Sequence, residues 1–390
     1  MITVAEALAR VFALVSALPT ERVALGDAHG RVLARDVIAQ RDQPPFPASA
    51  MDGYAVDGAE AVPGAGFKII GESRAGDRFD GAVTPGTAVR IFTGAPVPPG
   101  ADRVIIQEDV TRKGDRITLG SDLDTASYVR PAGNDFAKGH RITAGRRLSA
   151  HDIGLIAAMN VPEVTVHRRP VVAIMATGDE LVNVGETPGP DQIIASNSLA
   201  IKAILESEGA ETRLLPIARD RRDSLELGFR LAAGADMIVT TGGASVGDHD
   251  LVGPVAEALG MDLSFYKIAM RPGKPLLVGT LKDTPLFGLP GNPVSGLVCA
   301  HIFLRPALRV MTGLPAAPLP EITLPLGAPV TQNGPRLHYM RARIENGAIF
   351  ADPRQDSSLM SVLADANALL IRPIKDRARE TGEMVQAIHL

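Results

Sequence analysis

The sequence predicts a multidomain α/β plus β protein, with a central doubly wound α/β unit between two β-rich regions. Three observations carry that reading. The chain has 390 residues, more than one ordinary core accommodates, so three or four domains are expected. Between residues 171 and 313, strand-length apolar runs alternate with helical periodicity, the pattern of a parallel sheet covered on both faces. On either side, residues 51–145 and 314–390 are dominated by Gly, Pro and short β-type runs.

Taken in order, Thr3 and Glu6 stand at capping-box spacing and open a first helix. The apolar run 11–18 superficially resembles a signal sequence. Arg10 interrupts it and Pro19 stops it, so an amphipathic helix of the folded protein is the better reading. Extended segments follow to residue 50. In the stretch 51–145 the runs 67–70, 88–92 and 103–107 alternate with turns, which predicts a small all-β unit. Ser149, with Asp152 three residues on, opens another helix.

In the central region, 171–176 is a continuous apolar strand and about 198–207 a helix with Ile201, Ile204 and Leu205 on one face. A second strand is expected at 214–217. A second helix follows, marked by Leu225, Phe229 and Ala232 and opened by an Asp223/Glu226 capping box. Strands at 237–241, 263–268, 276–278 and 286–288 follow. Asn292 as N-cap and Pro293 at N1 then start a helix towards Met311. The Pro-rich linker 314–320 leads into a C-terminal β domain.

Composition narrows the function classes. Apolar residues at 45% and charged residues at 22% describe an ordinary folded chain, and the net charge of −4 gives no global field for nucleic acid or an anionic membrane. An anionic substrate must therefore be held by a local basic cluster. No run approaches the roughly 18 apolar residues that span a bilayer. Cys299 is the only cysteine and reads as a core residue; no intrachain disulfide is possible, which favours a reducing, cytoplasmic compartment.

In a doubly wound sheet, ligands bind beyond the carboxyl ends of the strands. Thr177-Gly178-Asp179-Glu180 follows the first strand and Asp220 the second. The loop 241–250, which contains Gly242, Gly243, Ser245, Gly247, Asp248, His249 and Asp250, follows the third, and 288–295 runs from a strand into a helix start. Each alone is a tight turn. Together, Gly-rich loops and a helix N-terminus make an oxyanion or phosphate site. Asp248 and Asp250, with Glu180 and Asp220, offer hard oxygen ligands beside it, a set that suits Mg²⁺. His249 reads as a bystander. Lys267, Arg271 and Lys274 place three cations in eight residues around a Pro-Gly turn, without an acid among them. That is either a solvated basic turn or the counter-charge of a tetrahedral oxyanion. The strings 44–55, around Asp52, and 93–102, beginning at Thr93, are unusually dense in turn residues. The chain carries no CxxC, HExxH or Walker-type loop.

The segments around Asp52, Thr93, Glu180, 242–250, 271–275 and 291–295 occur in the order and approximate spacing of one family. Over essentially its whole length the chain resembles the molybdopterin molybdenumtransferases, which include the E domain of gephyrin. The resemblance implies four domains: an N-terminal domain from 1–50 and 146–170, an inserted β domain at 51–145, an α/β molybdopterin-binding domain at 171–313 and a C-terminal β barrel at 314–390. It implies a homodimer with its site between the α/β domain of one subunit and the N-terminal part of the other. The implied reaction combines adenylylated molybdopterin with molybdate, releasing AMP, with Mg²⁺ present. By motif match, Asp220 and Asp250 fall at the Mg²⁺ and adenylate site. Arg271, Lys274, Ser295, Arg341 and Ser357 surround the molybdate; Asp52 and Thr93 come from the inserted domain. Transient contacts with the molybdopterin adenylyltransferase and with apo-molybdoenzymes are implied too.

Three departures from the family pattern stand out: Arg271 where Lys is frequent, Ile194-Ala195 where polar residues are usual, and Asp356 beside Ser357. Two other function classes share this architecture. An adenylyltransferase would use the 242–250 loop but needs neither the inserted domain nor the 271–275 turn. A non-catalytic scaffold, as in gephyrin's clustering of membrane receptors, would act through partner peptides.

Overall fold

The computed structural model describes residues 1–243 and 251–390. Both expected capping boxes form. Thr3 Oγ1 accepts from Glu6 N while the Glu6 carboxylate accepts from Thr3 N, opening helix Val4–Leu14. Ser149 and Asp152 do the same for helix Ala150–Ala158. The first helix stops at Leu14, before Pro19, because Val15 is already extended. Strand Thr20–Ala24 pairs antiparallel with Glu163–His167, and Leu33, Phe136, Leu148, Ile156 and Val166 share one core. The segments flanking the β-rich insertion therefore fold onto each other. The insertion itself carries a six-stranded sheet between residues 53 and 119.

The central sheet also has six strands: β1 Val171–Ala176, β2 Glu211–Leu214, β3 Met237–Thr241, β4 Met261–Lys267, β5 Pro275–Leu281 and β6 Thr284–Leu289, in the order β2-β1-β3-β6-β5-β4. Apolar cores lie on both of its faces: Val172, Ile174 and Val239 face one, Ala173, Met175 and Ile238 the other. Alternate residues of a strand point to opposite sides, so a continuous apolar run is required here.

Three expectations need correction. The second strand lies at Glu211–Leu214 rather than 214–217, because Val171–Ile174 pair with those four residues and Pro216 then offers no N–H. Helix Arg222–Leu231 starts without a side-chain cap; Asp223 lies inside it, and Ser224 Oγ instead accepts from Arg219 N. The sheet is mixed rather than wholly parallel. β5 and β6 are joined by Lys282-Asp283 alone, both at positive φ, and a two-residue connection can only make an antiparallel hairpin.

Pro293 does begin a helix, although the Asn292 side chain makes no cap. It continues through a π-helical turn at Ala300–Leu304 to Met311. This rod, Pro293–Met311, is long and apolar enough to cross a membrane, contrary to the reading of the sequence, yet 78% of its 18-residue apolar window is buried inside the fold. It is a core helix. The C-terminal strands run in the order Leu337–Glu345, Ala368–Arg372, Met384–His389, Glu321–Pro325, with Ala348–Ala351 on the other edge of the first. A bridge between Leu326 and Ile349 joins the two edges and closes the barrel. Met270–Arg271, from the central region, adds to this sheet beside Leu337 and His338. The basic turn thereby spans both units.

Candidate active site

Beyond the carboxyl ends of β1, β2, β3 and β6 opens a cleft of about 760 Å³. Its walls are the loops after those strands: Thr177, Gly178 and Glu180; Asp220; Gly242 and Gly243; and 290–293. Backbone bonds fix the loops to one another. Thr177 N donates to Thr241 O at 2.9 Å, Gly178 N to Ala218 O at 3.1 Å and Gly242 N to Leu289 O at 3.1 Å. Gly242 has φ +92°, and a Cβ there would lie 2.5 Å from Thr177 O; one at Gly243 would strike Val252. Only glycine lets the chain pass here, which leaves its backbone bare towards the cleft. Asn197, the first residue of helix Asn197–Ser207, donates from Nδ2 to Gly291 O at 2.7 Å and secures the opposite wall.

Of the residues singled out from sequence, Glu180, Asp220, Gly242 and Gly243 line this cleft. Ser245, Gly247, Asp248, His249 and Asp250 lie outside the described residues. Pro275 also lines the cleft, which puts the basic turn at its rim. Arg271 and Lys274 are exposed on that turn, although neither is itself among the cleft's lining residues, and neither forms an ion pair among the described residues. Lys267 is half-buried, its Nζ 5.5 Å from the centre of the Tyr266 ring. Cys299 is buried directly beneath the turn, where its thiol, pushed well up by desolvation, meets Gly273.

Arg341 is fully buried and does more than supply charge. Its Nη1 donates to Gln355 O at 3.3 Å, and its Nη2 to Arg354 O at 3.0 Å and Asp356 O at 2.9 Å. It thus clamps the loop that carries Ser357 and Ser358. Ser357 O accepts from Val294 N at 3.1 Å, one residue before buried Ser295, and Ser358 reaches the cleft. Arg341 Nε is buried without a partner among the described residues. Asp356, the acid that stands beside expected site residue Ser357, is occupied locally. Its Oδ1 accepts from Ser358 Oγ at 2.6 Å and Ser358 N at 2.8 Å, and these bonds hold its carboxyl below the usual range.

Matches to known families cover nearly the whole chain. Residues 2–160 match the MoeA N-terminal region (domain I and II), 173–310 the probable molybdopterin binding domain and 323–390 the MoeA C-terminal region (domain IV). The molybdopterin molybdenumtransferase of Bacillus subtilis is 34% identical over 405 residues, covering 99% of this chain and 94% of that one. The chain belongs to the molybdopterin molybdenumtransferase family. The Nostoc enzyme of the same name is 38% identical over 305 residues, 76% of this chain and 70% of the relative. The structure of the molybdopterin biosynthesis moeA protein of Pyrococcus horikoshii superposes with a TM-score of 0.85 at 26% identity, covering 100% of both chains.

Two of the residues expected at the site from the sequence stand apart from the cleft. Asp52 and Thr93 do not line the cleft; they lie just before strand Gly53–Val56 and just after strand Thr87–Ile91 of the inserted sheet, and bind each other. Asp52 Oδ1 accepts from Thr93 N at 2.7 Å and Thr93 Oγ1 at 2.8 Å, which holds its carboxyl below the usual range.

Sequence reasoning missed His338. Strand register seats it between Arg271 on one side and Arg372 on the other. Arg372 is satisfied by the Asp376 carboxylate and the Thr331 and Arg377 carbonyls, whereas His338 Nε2 is buried with no partner among the described residues. Burial first, then the charges of Arg271, Arg341, Arg372 and Arg336, push its pKa down to about 4. A lone histidine in a β-run gives no sequence signal of this. His301, in the π turn beside Arg305, is likewise pushed down to about 4 by burial. Both shifts are downward, so the fold favours the neutral rings. Their contribution is complete above the unfolded value near 6.5 and is lost as pH falls towards 4. We therefore expect urea unfolding at pH 5 to give a stability roughly 2–4 kcal/mol below that at pH 7, about half of it from each ring. The double variant His301→Gln/His338→Gln should flatten that slope; an equally steep slope would assign it to other groups.

Proposed function

We propose that this chain inserts molybdate into adenylylated molybdopterin, releasing AMP and forming molybdenum cofactor. The observation that carries the reading is the cleft at the sheet's carboxyl ends, with bare Gly242–Gly243 backbone inside it and, on the turn that runs into cleft-lining Pro275, the cations Arg271 and Lys274, exposed and without an ion pair among the described residues. Molybdate is a dianion and the adenylate adds phosphate charge, so the substrates demand this separation of a phosphate cradle from a cation pair. Ser295, Ser357 and the Arg341-clamped loop would supply further donors beside the oxyanion, and Lys267 further positive charge. Glu180 would face the reacting end of the adenylate. Insertion requires loss of oxo ligands and exposure of the dithiolene sulfurs; cleavage of the adenylate makes the step directional. No protein nucleophile is required.

Mg²⁺ fits the donor set. No group of three or more metal-ligating side chains occurs among the described residues, but Mg²⁺ on a phosphate needs only one or two carboxylates. Asp220, on the cleft wall, and Asp250 would hold it, and it would neutralise phosphate charge. The proposed organisation is the four-domain division given above, in a cytoplasmic homodimer that receives its substrate from an adenylyltransferase and passes cofactor to apo-molybdoenzymes. The test is reconstitution with purified adenylylated molybdopterin and molybdate, scored by activation of an apo-enzyme. Absence of transfer, or adenylate formation from molybdopterin and ATP instead, would overturn the reading.

The separation of Asp52 and Thr93 from the cleft supports a site completed across a dimer. An Asp52→Ala subunit mixed with a Glu180→Ala subunit should regain part of the lost activity, up to about a quarter of wild type if the subunits assort at random and each site takes one residue from each chain. No recovery above the parents would argue for a site built within one chain.

A further inference from the structure

One polar side chain on the cleft's margin is used by none of the roles above. Arg219 follows β2, immediately before Asp220. Its Nη1 donates to Asp179 O and Leu181 O, each at 3.0 Å, with Gly178 O at 3.4 Å. Its own N–H is held by Ser224 Oγ at 2.9 Å, anchoring the arginine to helix Arg222–Leu231. The loop it grips is the one that carries Glu180. That loop returns a bond: Asp179 Oδ1 accepts from Asp220 N at 3.2 Å. The Glu180 carboxylate folds back over Gly178, where an added Cβ would strike it. Glu180 O in turn accepts from Ile193 N at 2.8 Å, tying the cleft's outer wall to the same loop.

From this geometry we infer that Arg219 is a positioning residue. It clasps the loop after β1 to the loop after β2 and so fixes Glu180 relative to Asp220 across the cleft. The inference rests on the proposed function for what the two acids do, but the clasp stands on its own contacts. A guanidinium suits the task because the N–H groups of its planar Nη1 point in fixed directions at Asp179 O and Leu181 O. A Lys ammonium could reach the same carbonyls but rotates on a flexible stem, so it would hold them at less defined angles. The molybdate end is served by a different segment, 267–275, so a fault in the clasp should leave oxyanion use intact.

Two measurements on the full-length chain test this. Arg219→Ala should lower kcat on the order of 10- to 100-fold with KM for molybdate unchanged, and Arg219→Lys should restore part of it. Because the arginine acts through Glu180, the Arg219→Ala/Glu180→Gln double variant should be no slower than Glu180→Gln alone. Losses that multiply, or a raised molybdate KM, would overturn the inference. The second measurement needs no activity. Hydrogen exchange at the Asp220 and Ile193 amides, both bonded to the clasped loop, should quicken roughly 10-fold in Arg219→Ala. Unchanged exchange would also overturn it. Failure of wild type to form cofactor would instead strike the proposed function, and the exchange result would still decide the clasp.

Discussion

Lys274→Ala should raise the molybdate concentration needed for half-maximal rate by roughly 10- to 150-fold, while binding of adenylylated molybdopterin stays near wild type. The size follows from losing one charge-assisted contact, worth on the order of 1.5–3 kcal/mol. The structure sharpens the expectation. Lys274 is exposed at the cleft rim with no ion pair among the described residues, so removing it frees no buried acid and should cost little stability. Its loss is then read in molybdate use alone. Arg271→Lys should be milder, since charge survives and only the planar fork is lost. Molybdate titrations at saturating adenylylated pterin, with a thermal melt of each variant, make the comparison. A Lys274→Ala profile that overlays wild type would remove this turn from the oxyanion site.

What could be read from the sequence follows what each residue depends on. Val171–Ala176 was legible to the residue because it is apolar throughout, as a strand buried on both faces favours, and Met237–Thr241 because its apolar start runs on into β-branched Thr240 and Thr241 before Gly242. Glu211–Leu214 was not: it edges the same sheet, three of its four residues are exposed or charged, and the apolar cue lay downstream. The antiparallel β5–β6 hairpin was hidden because Lys282-Asp283 adopts positive φ without the glycine that usually announces such a turn. In the cleft, Glu180, Asp220, Gly242 and Gly243 were legible because strand ends bring them together whatever the side chains between do. Arg341 was named only through the family resemblance, as a contact of the oxyanion, and its clamp on the 354–356 carbonyls was not foreseen. Arg219 was missed, because its partners are backbone carbonyls some forty residues back, which no motif encodes. The same holds for Asn197, which grips Gly291 O; Ser358, which reaches the cleft, was passed over for its neighbour Ser357.

A larger change in stability is expected far from the chemistry, at Glu208. It is 6% exposed, just past helix Asn197–Ser207, and its carboxylate accepts from two arginines at once: Arg147 Nη2 at 3.0 Å and Arg305 Nε at 2.8 Å. Its carbonyl takes a further bond from Arg147 Nη1 at 3.1 Å. Arg147 comes from the segment that returns from the β insertion, Arg305 from the long core helix, so one carboxylate joins three stretches of chain. Burial already disfavours the charge on Arg147, and Glu208 is the first influence that offsets it. Glu208→Ala leaves two partly buried guanidinium groups without their counter-charge, a loss of about 3–5 kcal/mol. Glu208→Gln keeps the shape and one acceptor, so it should fall between that variant and wild type. The argument makes a further demand: the cost comes from stranded charge rather than from a missing attraction. Replacing all three groups with apolar residues, as Arg147→Met/Glu208→Leu/Arg305→Met, should therefore be less destabilising than Glu208→Ala alone. Urea unfolding of the variants, followed by circular dichroism, tests both statements. A Glu208→Ala midpoint indistinguishable from wild type would mean that water already reaches these charges and that the three segments are held by their apolar cores alone.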